Sequence, residues 1–331
     1  MTQQVVKEPT QAWITVFAEM AINLCLGILY AWNIWKSALV NFAKAGQPMS
    51  GMTEGWVYLT NAQASTPFTL CVIMFAVMMI PGGRVQDKFS PKVGATAGVV
   101  VAGYGGAALY IGALGQYLVD NYGISGSFVT LGCFFALVVI IAGQLPKPPP
   151  EDYVPPAPAI ATTKRNGSAG EMVKTWQFFA LVFMFILTTQ SGLLIIGNAK
   201  GLMVKAAKNM PFFAANAWLL VSYAGFVNAS GRMGTGYYSD KIGRLNAYCL
   251  NCGVSALCLF ALPYVISSRN LLLLFLVVGV AYWQYGGGLA LLPSLVADFY
   301  GPKNLGFNYG LVFMGWGLGV FVARLAAPSR I

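Results

Sequence analysis

Gly83-Arg-Val-Gln-Asp87-Lys88-Phe-Ser90-Pro-Lys92 and Gly236-Tyr-Tyr-Ser-Asp240-Lys241-Ile-Gly243-Arg244 are two copies of one pattern, G-x-x-x-D-K followed by a small residue and then a base. Each copy ends one long apolar run and precedes another, so each reads as a tight polar turn between two helices. Glycine at the head of the pattern lets a neighbouring helix approach closely. The aspartate can cap or pair with a helix N-terminus, and the bases suit anionic headgroups. One copy alone would be an ordinary charged loop. Two copies in matched positions, on either side of a linker, divide the chain into related halves.

The runs that flank these loops set the fold class. Hydrophobic residues make up 57% of the 331 residues and charged residues only 9%, against roughly 25% charged in a soluble domain. Several runs exceed the roughly 18 residues that cross a bilayer as a helix, and they are continuous rather than alternating at period 2. The expectation is an all-α polytopic membrane protein. Nine candidate spans are read at about 13–35, 56–81, 93–118, 125–144, 176–199, 213–238, 245–266, 271–297 and 306–327. Between the fourth and fifth lies 145–174, rich in proline and then in Gly, Ser and Lys, which reads as an extended and flexible linker. It separates an N-terminal bundle, 1–144, from a C-terminal bundle, 175–331. The run from Trp13 to about Trp35 is too long for the apolar core of a cleavable leader and reads as a first span.

Charge and reactive residues narrow the function. The net charge of +10 lies mostly in short loops, where a positive-inside bias accounts for it without nucleic acid. With the N-terminus in the cytoplasm, eleven Lys and Arg fall on the cytoplasmic side and eight on the other. That orientation, in the plasma (inner) membrane, is the expectation. Histidine is absent, which excludes His-based triads and His-ligated metals. The six cysteines, Cys25, Cys71, Cys133, Cys249, Cys252 and Cys258, fall in apolar spans and read as buried small hydrophobes. Cys249-x-x-Cys252 lacks the second pair that a zinc site needs. No nucleophile–base pair emerges, so a non-enzyme without metal or cofactor is expected. Glycine clusters at 103–106, 286–288 and 315–319 sit inside spans and read as sites of close helix packing.

The paired loops resemble the signature of the major facilitator superfamily. Its members have two six-span halves joined by a cytoplasmic linker. More narrowly, Gly27-Ile-Leu-Tyr30-Ala-Trp32, Thr60-Asn61-Ala62-Gln63-Ala64-Ser65, Met79-Ile80-Pro81-Gly82-Gly83-Arg84, Gly123-Ile124-Ser125-Gly126-Ser127-Phe128, Glu171-Met172-Val173-Lys174-Thr175 and Asn308-Tyr309-Gly310 resemble the oxalate/formate antiporter family. The resemblance implies two helical bundles and alternating access between them. It also implies that spans are missing. Four candidate spans separate the two loops where the family has six. The join is expected near Ala95–Val101, where Ser90-Pro-Lys-Val-Gly-Ala-Thr-Ala-Gly98 resembles the start of a third span and Val100-Val-Ala-Gly103-Tyr104-Gly105 resembles a fifth. A twelfth span is also expected to be absent after Ile331, giving about nine spans instead of twelve.

Arg232 is the leading site candidate. An arginine at depth in a span costs at least about 2.5–3.5 kcal/mol, so it usually faces a cavity or a partner, and its planar fork fits a carboxylate. The resemblance implies that an arginine here, in the eighth family span, binds the anionic substrate, with Asn228 four residues before it. The alternative is snorkelling toward headgroups. Where the family's oxalate carrier has a lysine in its eleventh span, the matching residue is Trp316, so a monoanion is expected over a dianion. Tyr30, Tyr104 and Tyr285 lie in spans that would line the cavity and Trp316 could wall it, although packing explains them equally. Gln63, Gln190 and Gln284 read as interhelical hydrogen-bonding groups as readily as site groups. Glu19 is the one acid inside a span and is a candidate for proton coupling. The signature loops Gly83, Asp87, Lys88, Gly236, Asp240, Lys241, Gly243 and Arg244 are expected to latch alternate conformations. Two readings stay open. One is a secondary carrier, antiporter or proton symporter, acting as a monomer on a small carboxylate such as formate, lactate, pyruvate or an oxalate-like acid. The other is a non-transporting, truncated membrane protein.

Overall fold

The computed structural model describes residues 10–41, 44–49, 56–89, 97–146 and 166–326. Positions 95–96 of the expected join, 147–165 of the linker and the segment from 327 onward lie outside the described residues. All named elements among the described residues are helices: α1 (Thr10–Leu26), a 3-10 turn (Gly27–Ala31), α2 (Asn33–Leu39), α3 (Asn61–Phe89) and α4 (Ala97–Gly143), then α5 (Ala169–Met172), α6 (Trp176–Ile196), α7 (Ala199–Ala206), α8 (Pro211–Ala215), α9 (Trp218–Ile242), α10 (Arg244–Ser268), α11 (Leu271–Tyr300) and α12 (Leu305–Ala326). Among the described residues two isolated β-bridges, Val40 with Leu59 and Pro48 with Val57, interrupt that pattern.

Among the described residues, seven helical stretches are long and apolar enough to cross a membrane, two fewer than the sequence reading counts. Two elements account for the difference. Trp218–Ile242 has the length, at 25 residues, but carries Arg232, Asp240 and Lys241. The other is α4, which runs as one 47-residue element yet folds back at Gly123 (φ 69°, ψ −176°). Its first limb passes Met20 at Gly103 and Trp35 at Gly115. Its second begins beside Trp35, whose Nε1 donates to Ser127 Oγ at 2.8 Å, and ends where Gln11 Nε2 donates to Leu145 O at 2.9 Å. A positive φ is open to glycine at no steric cost, so one residue reverses the chain where the sequence reading leaves a short loop.

Other turns are set by similar local chemistry. Gly243 (φ 87°) separates α9 from α10. Asn270 Oδ1 accepts from Leu273 N at 3.1 Å and caps α11. The described end of the linker is ordered rather than extended. Ser168 and Glu171 form a capping box on α5, and Gly167 is held by Tyr300 O, Asn304 and Asn308.

The segments before and after the linker meet along two seams. In one, α3 lies on α12 so closely that a Cβ on Gly83 would stand 2.1 Å from Gly306 O. In the other, the first limb of α4 lies on α9, and a Cβ on Gly225 would stand 2.6 Å from Leu109 N. Small residues let backbones touch in this way, and in a bilayer such packing holds helices together. Large apolar side chains such as Trp176, Phe260 and Leu272 cover the outside. Three cysteines, Cys71, Cys133 and Cys249, also lie on that outer surface, which corrects the reading of all six as buried. Inside, Trp35, Trp316, Tyr30, Tyr248, Tyr282 and Tyr285 are the largest fully buried side chains.

Candidate functional site

Arg232 lies near the middle of α9 and is 3% exposed. The glycines around it explain how a guanidinium fits there. A Cβ on Gly231 would stand 2.4 Å from Trp283 O on α11, and one on Gly105 would stand 2.8 Å from Arg232 Nε and 2.3 Å from Asn228 Oδ1. The first limb of α4 therefore gives up a side chain to make room for the arginine.

The guanidinium points across the seam, away from the headgroup level that snorkelling requires. Nε donates to Asn228 Oδ1 at 3.0 Å, and Nη2 donates to Tyr30 OH at 3.1 Å. Tyr30 OH lies 3.4 Å from Tyr285 OH, and Trp316 Nε1 donates to Tyr285 OH at 2.9 Å. The Tyr104 ring meets Tyr30 edge-on at 5.1 Å between centroids, and Arg232 Cζ lies 5.9 Å from the Tyr104 ring centre. The structure thus brings together Tyr30, Tyr104, Asn228, Arg232, Tyr285 and Trp316, from five separate elements.

Donors outnumber acceptors in this cluster. A guanidinium has five N–H donors, and two are spent on Asn228 and Tyr30. Asn228 Nδ2 is buried without a partner. Among the described residues no carboxylate pairs with the arginine, and the one ion pair joins Arg244 to Asp298. Tyr30 and Tyr285 touch weakly at 3.4 Å, so their hydroxyls are free to turn. A buried cation ringed by unspent donors has the chemistry that an anion would complement.

Three residues of this site were not singled out in the sequence. Phe75 on α3 packs its ring 5.9 Å from Tyr104, 5.7 Å from Phe313 and 5.6 Å from Trp316, closing one wall. Phe313 stands one helical turn before Trp316, and that i, i+3 spacing was the available signal. Gly105 belongs to a glycine cluster read correctly as close packing, although its neighbour could not be known.

Other candidates lie elsewhere. Glu19 is half-buried on α1, and among the described residues its side chain makes no bond to the cluster. Gln63 accepts from Thr60 N at 2.9 Å, and Gln190 Nε2 donates to Gly319 O at 2.8 Å. Gln284 has a buried Oε1 without a partner.

The signature loops differ from each other. Asp87 accepts from Gly306 N at 2.7 Å and from Phe307 N at 2.8 Å, capping α12 across the seam. Arg84 lies over the Phe307 ring at 4.8 Å, and Lys88 is exposed. In the second copy Asp240 is exposed, Lys241 lies over the Tyr237 ring at 4.3 Å, and Arg244 Nη1 pairs with Asp298 at 2.5 Å. Gly236 has open space where a Cβ would stand. The close-approach reading therefore holds at Gly83 and not at Gly236.

The opposite end of the bundle is also joined across the halves. Asn33 Nδ2 donates to Ile196 O at 2.9 Å. Lys36 Nζ donates to Gly197 O at 3.0 Å and to Asn198 Oδ1 at 3.1 Å. Lys200 Nζ donates to Gln116 Oε1 at 2.7 Å.

Comparison with known proteins gives the family. The sequence profile of the Major Facilitator Superfamily matches residues 89–324. The chain belongs to the major facilitator superfamily. It is an integral membrane protein of a transporter family, and it resembles an oxalate:formate antiporter at low identity. An uncharacterized MFS-type transporter, YhjX of Escherichia coli (strain K12), is 24% identical over 363 residues, covering 93% of this chain and 85% of the relative. The oxalate:formate antiporter of Oxalobacter formigenes is 26% identical over 259 residues, 76% of this chain and 60% of that protein. Apicoplast pyruvate carrier 1 of Toxoplasma gondii is 28% identical over 159 residues, 46% of this chain. The chain therefore spans less than two thirds of the length of the last two, 60% and 28%.

Proposed function

We propose that this chain is a secondary carrier for a small organic monocarboxylate, bound at Arg232 and moved by alternating access. The observation that carries this reading is the buried guanidinium of Arg232, which pairs with no carboxylate among the described residues and is held by neutral partners from both halves. A carboxylate would take the remaining N–H donors and Asn228 Nδ2, with Tyr30 and Tyr285 turning their hydroxyls toward it. The names of two relatives, an oxalate:formate antiporter and a pyruvate carrier, support a carboxylate. Trp316 stands where a second cation would be needed for a dianion, which favours formate, lactate or pyruvate over oxalate.

In this reading α4 contributes two crossings and α9 one, giving nine, with the signature loops and the N-terminus in the cytoplasm and the protein in the plasma membrane. The Asp87 cap on α12 closes the inner side, and the contacts of Asn33, Lys36 and Lys200 close the outer side. Alternating access then requires the two sets to break in turn. Glu19, half-buried on α1 and apart from the cluster's hydrogen bonds among the described residues, is the candidate for proton coupling in this reading.

The test is counterflow of labelled formate into proteoliposomes holding the full chain, with Arg232→Gln as control. Formate-driven accumulation lost in the variant supports the carrier. Formate binding without any counterflow favours the non-transporting reading, for which the exposed apolar face of α3 (Leu70, Met74, Met78) is the supporting observation, because neighbouring spans would cover it.

A further inference from the structure

Lys36 is the second buried cation of the interface, at 8% exposed, and like Arg232 it faces no carboxylate among the described residues. Its ammonium bonds to two neutral oxygens, Gly197 O at 3.0 Å and Asn198 Oδ1 at 3.1 Å, both just beyond the end of α6. Lysine capping of a helix C-terminus explains why it docks there. It does not explain the charge. A neutral amide would make the same two bonds without the desolvation cost of a buried ammonium. An ammonium also has three N–H donors, and two are accounted for.

Position adds to this. Tyr30, Asn33 and Lys36 all reach from the first span to the later half: Tyr30 to Arg232, Asn33 to Ile196 O and Lys36 to Gly197 O. Six residues of helix put Lys36 about 9 Å further along the same seam than Tyr30. A carboxylate entering along this seam from the outer side would meet an unneutralised cation, held by two neutral oxygens, before Arg232.

The geometry points to Lys36 as an outer docking site for the carboxylate, occupied before it reaches Arg232. This rests on the Arg232 reading. An arriving carboxylate takes the third N–H, then outcompetes the carbonyl and the amide for the ammonium. Breaking those two bonds unfastens the halves at the outer end, so anion arrival and outer opening become one event.

A second role would be purely mechanical, with Lys36 as a bolt between the halves. The two roles differ in sign. Removing a bolt speeds entry, whereas removing a docking cation slows it. The measurement is stopped-flow tryptophan fluorescence of the full chain in detergent, mixed with sodium formate against matched sodium chloride, with Trp32, Trp35 and Trp316 as reporters. Lys36→Gln is expected to slow formate association about tenfold and leave dissociation unchanged, with Lys36→Arg within twofold of the parent chain. Asn198→Ala, which frees one partner of the ammonium, is expected to speed association about threefold. Association unchanged or faster in Lys36→Gln, or unchanged or slower in Asn198→Ala, overturns the proposal. A formate signal present in the parent and lost in Arg232→Gln, with Lys36→Gln like the parent, overturns the Lys36 role alone. No formate-specific signal in the parent chain overturns both.

Discussion

Arg232 Nη2 and Tyr30 OH are 3.1 Å apart, although 202 residues separate them in the chain. The bond ties the first span to α9 at the point where the two halves face each other. On the proposed reading, an anion at the arginine would take its remaining N–H donors, and the Tyr30 hydroxyl would turn toward it as a further donor. The Tyr30 ring is fixed in turn by edge contacts with Tyr104 and Tyr285.

Tyr30→Phe keeps the ring contacts and deletes the acceptor. A hydrogen bond to a charged group is worth about 1.5–3 kcal/mol, and the loss is expected to appear as a lower Tm in detergent. Formate affinity is expected to fall about tenfold, as one donor to the anion is also removed. Thermal unfolding with and without formate reads both effects.

Gly105→Ala puts a methyl where Asn228 Oδ1 would be 2.3 Å away, whereas Gly106→Ala meets only Ala229 Cβ at 3.5 Å. Overpacking of this kind costs about 1–3 kcal/mol. The first variant is expected to lose stability and formate response together, and the second to stay within about 0.5 kcal/mol of the parent. Unfolding midpoints of the two adjacent variants give the comparison.

Asp87→Asn weakens the cap on Gly306 N and Phe307 N, while Asp240→Asn alters an exposed carboxylate. A lost charged cap costs about 0.5–2 kcal/mol. The first change is expected to lower Tm and raise proteolytic cleavage at the signature-loop end, and the second to do neither. Equal effects would mean that the two copies act alike.

Trp316→Lys introduces a cation beside Tyr285, to which the indole now donates at 2.9 Å. Binding of oxalate relative to formate is expected to rise about tenfold, the effect of about 1.4 kcal/mol of added charge pairing. Competition of the two anions in a thermal-shift titration measures the ratio.

Much of this arrangement was legible in the residues. The repeated loops mark the halves, and Arg232 stands out because a charge at that depth has few explanations. The gathering of Tyr30, Tyr104, Tyr285 and Trp316 was legible only as one of two equal readings, the other being plain helix packing. What could not be read depends on register between distant helices. Asp87 could be expected to cap a helix, but not to cap α12. Gly105 and Gly231 look alike in sequence, and only the packing says that one faces Asn228 and the other Trp283. Lys36 reads as a loop base because its burial comes from the end of α6, far away in the chain. Gly123 reads as part of a loop among Asp120, Asn121, Ser125 and Gly126, and only the backbone says that one residue carries the reversal.

The most direct test is equilibrium binding of labelled formate to the purified full chain, compared with Arg232→Gln and with Gly106→Ala as a folding control. Saturable binding in the parent and in Gly106→Ala, reduced at least about a hundredfold in Arg232→Gln, is the result expected when a buried charge pair loses its cation. Undiminished binding in Arg232→Gln would contradict the assignment of the carboxylate to this site.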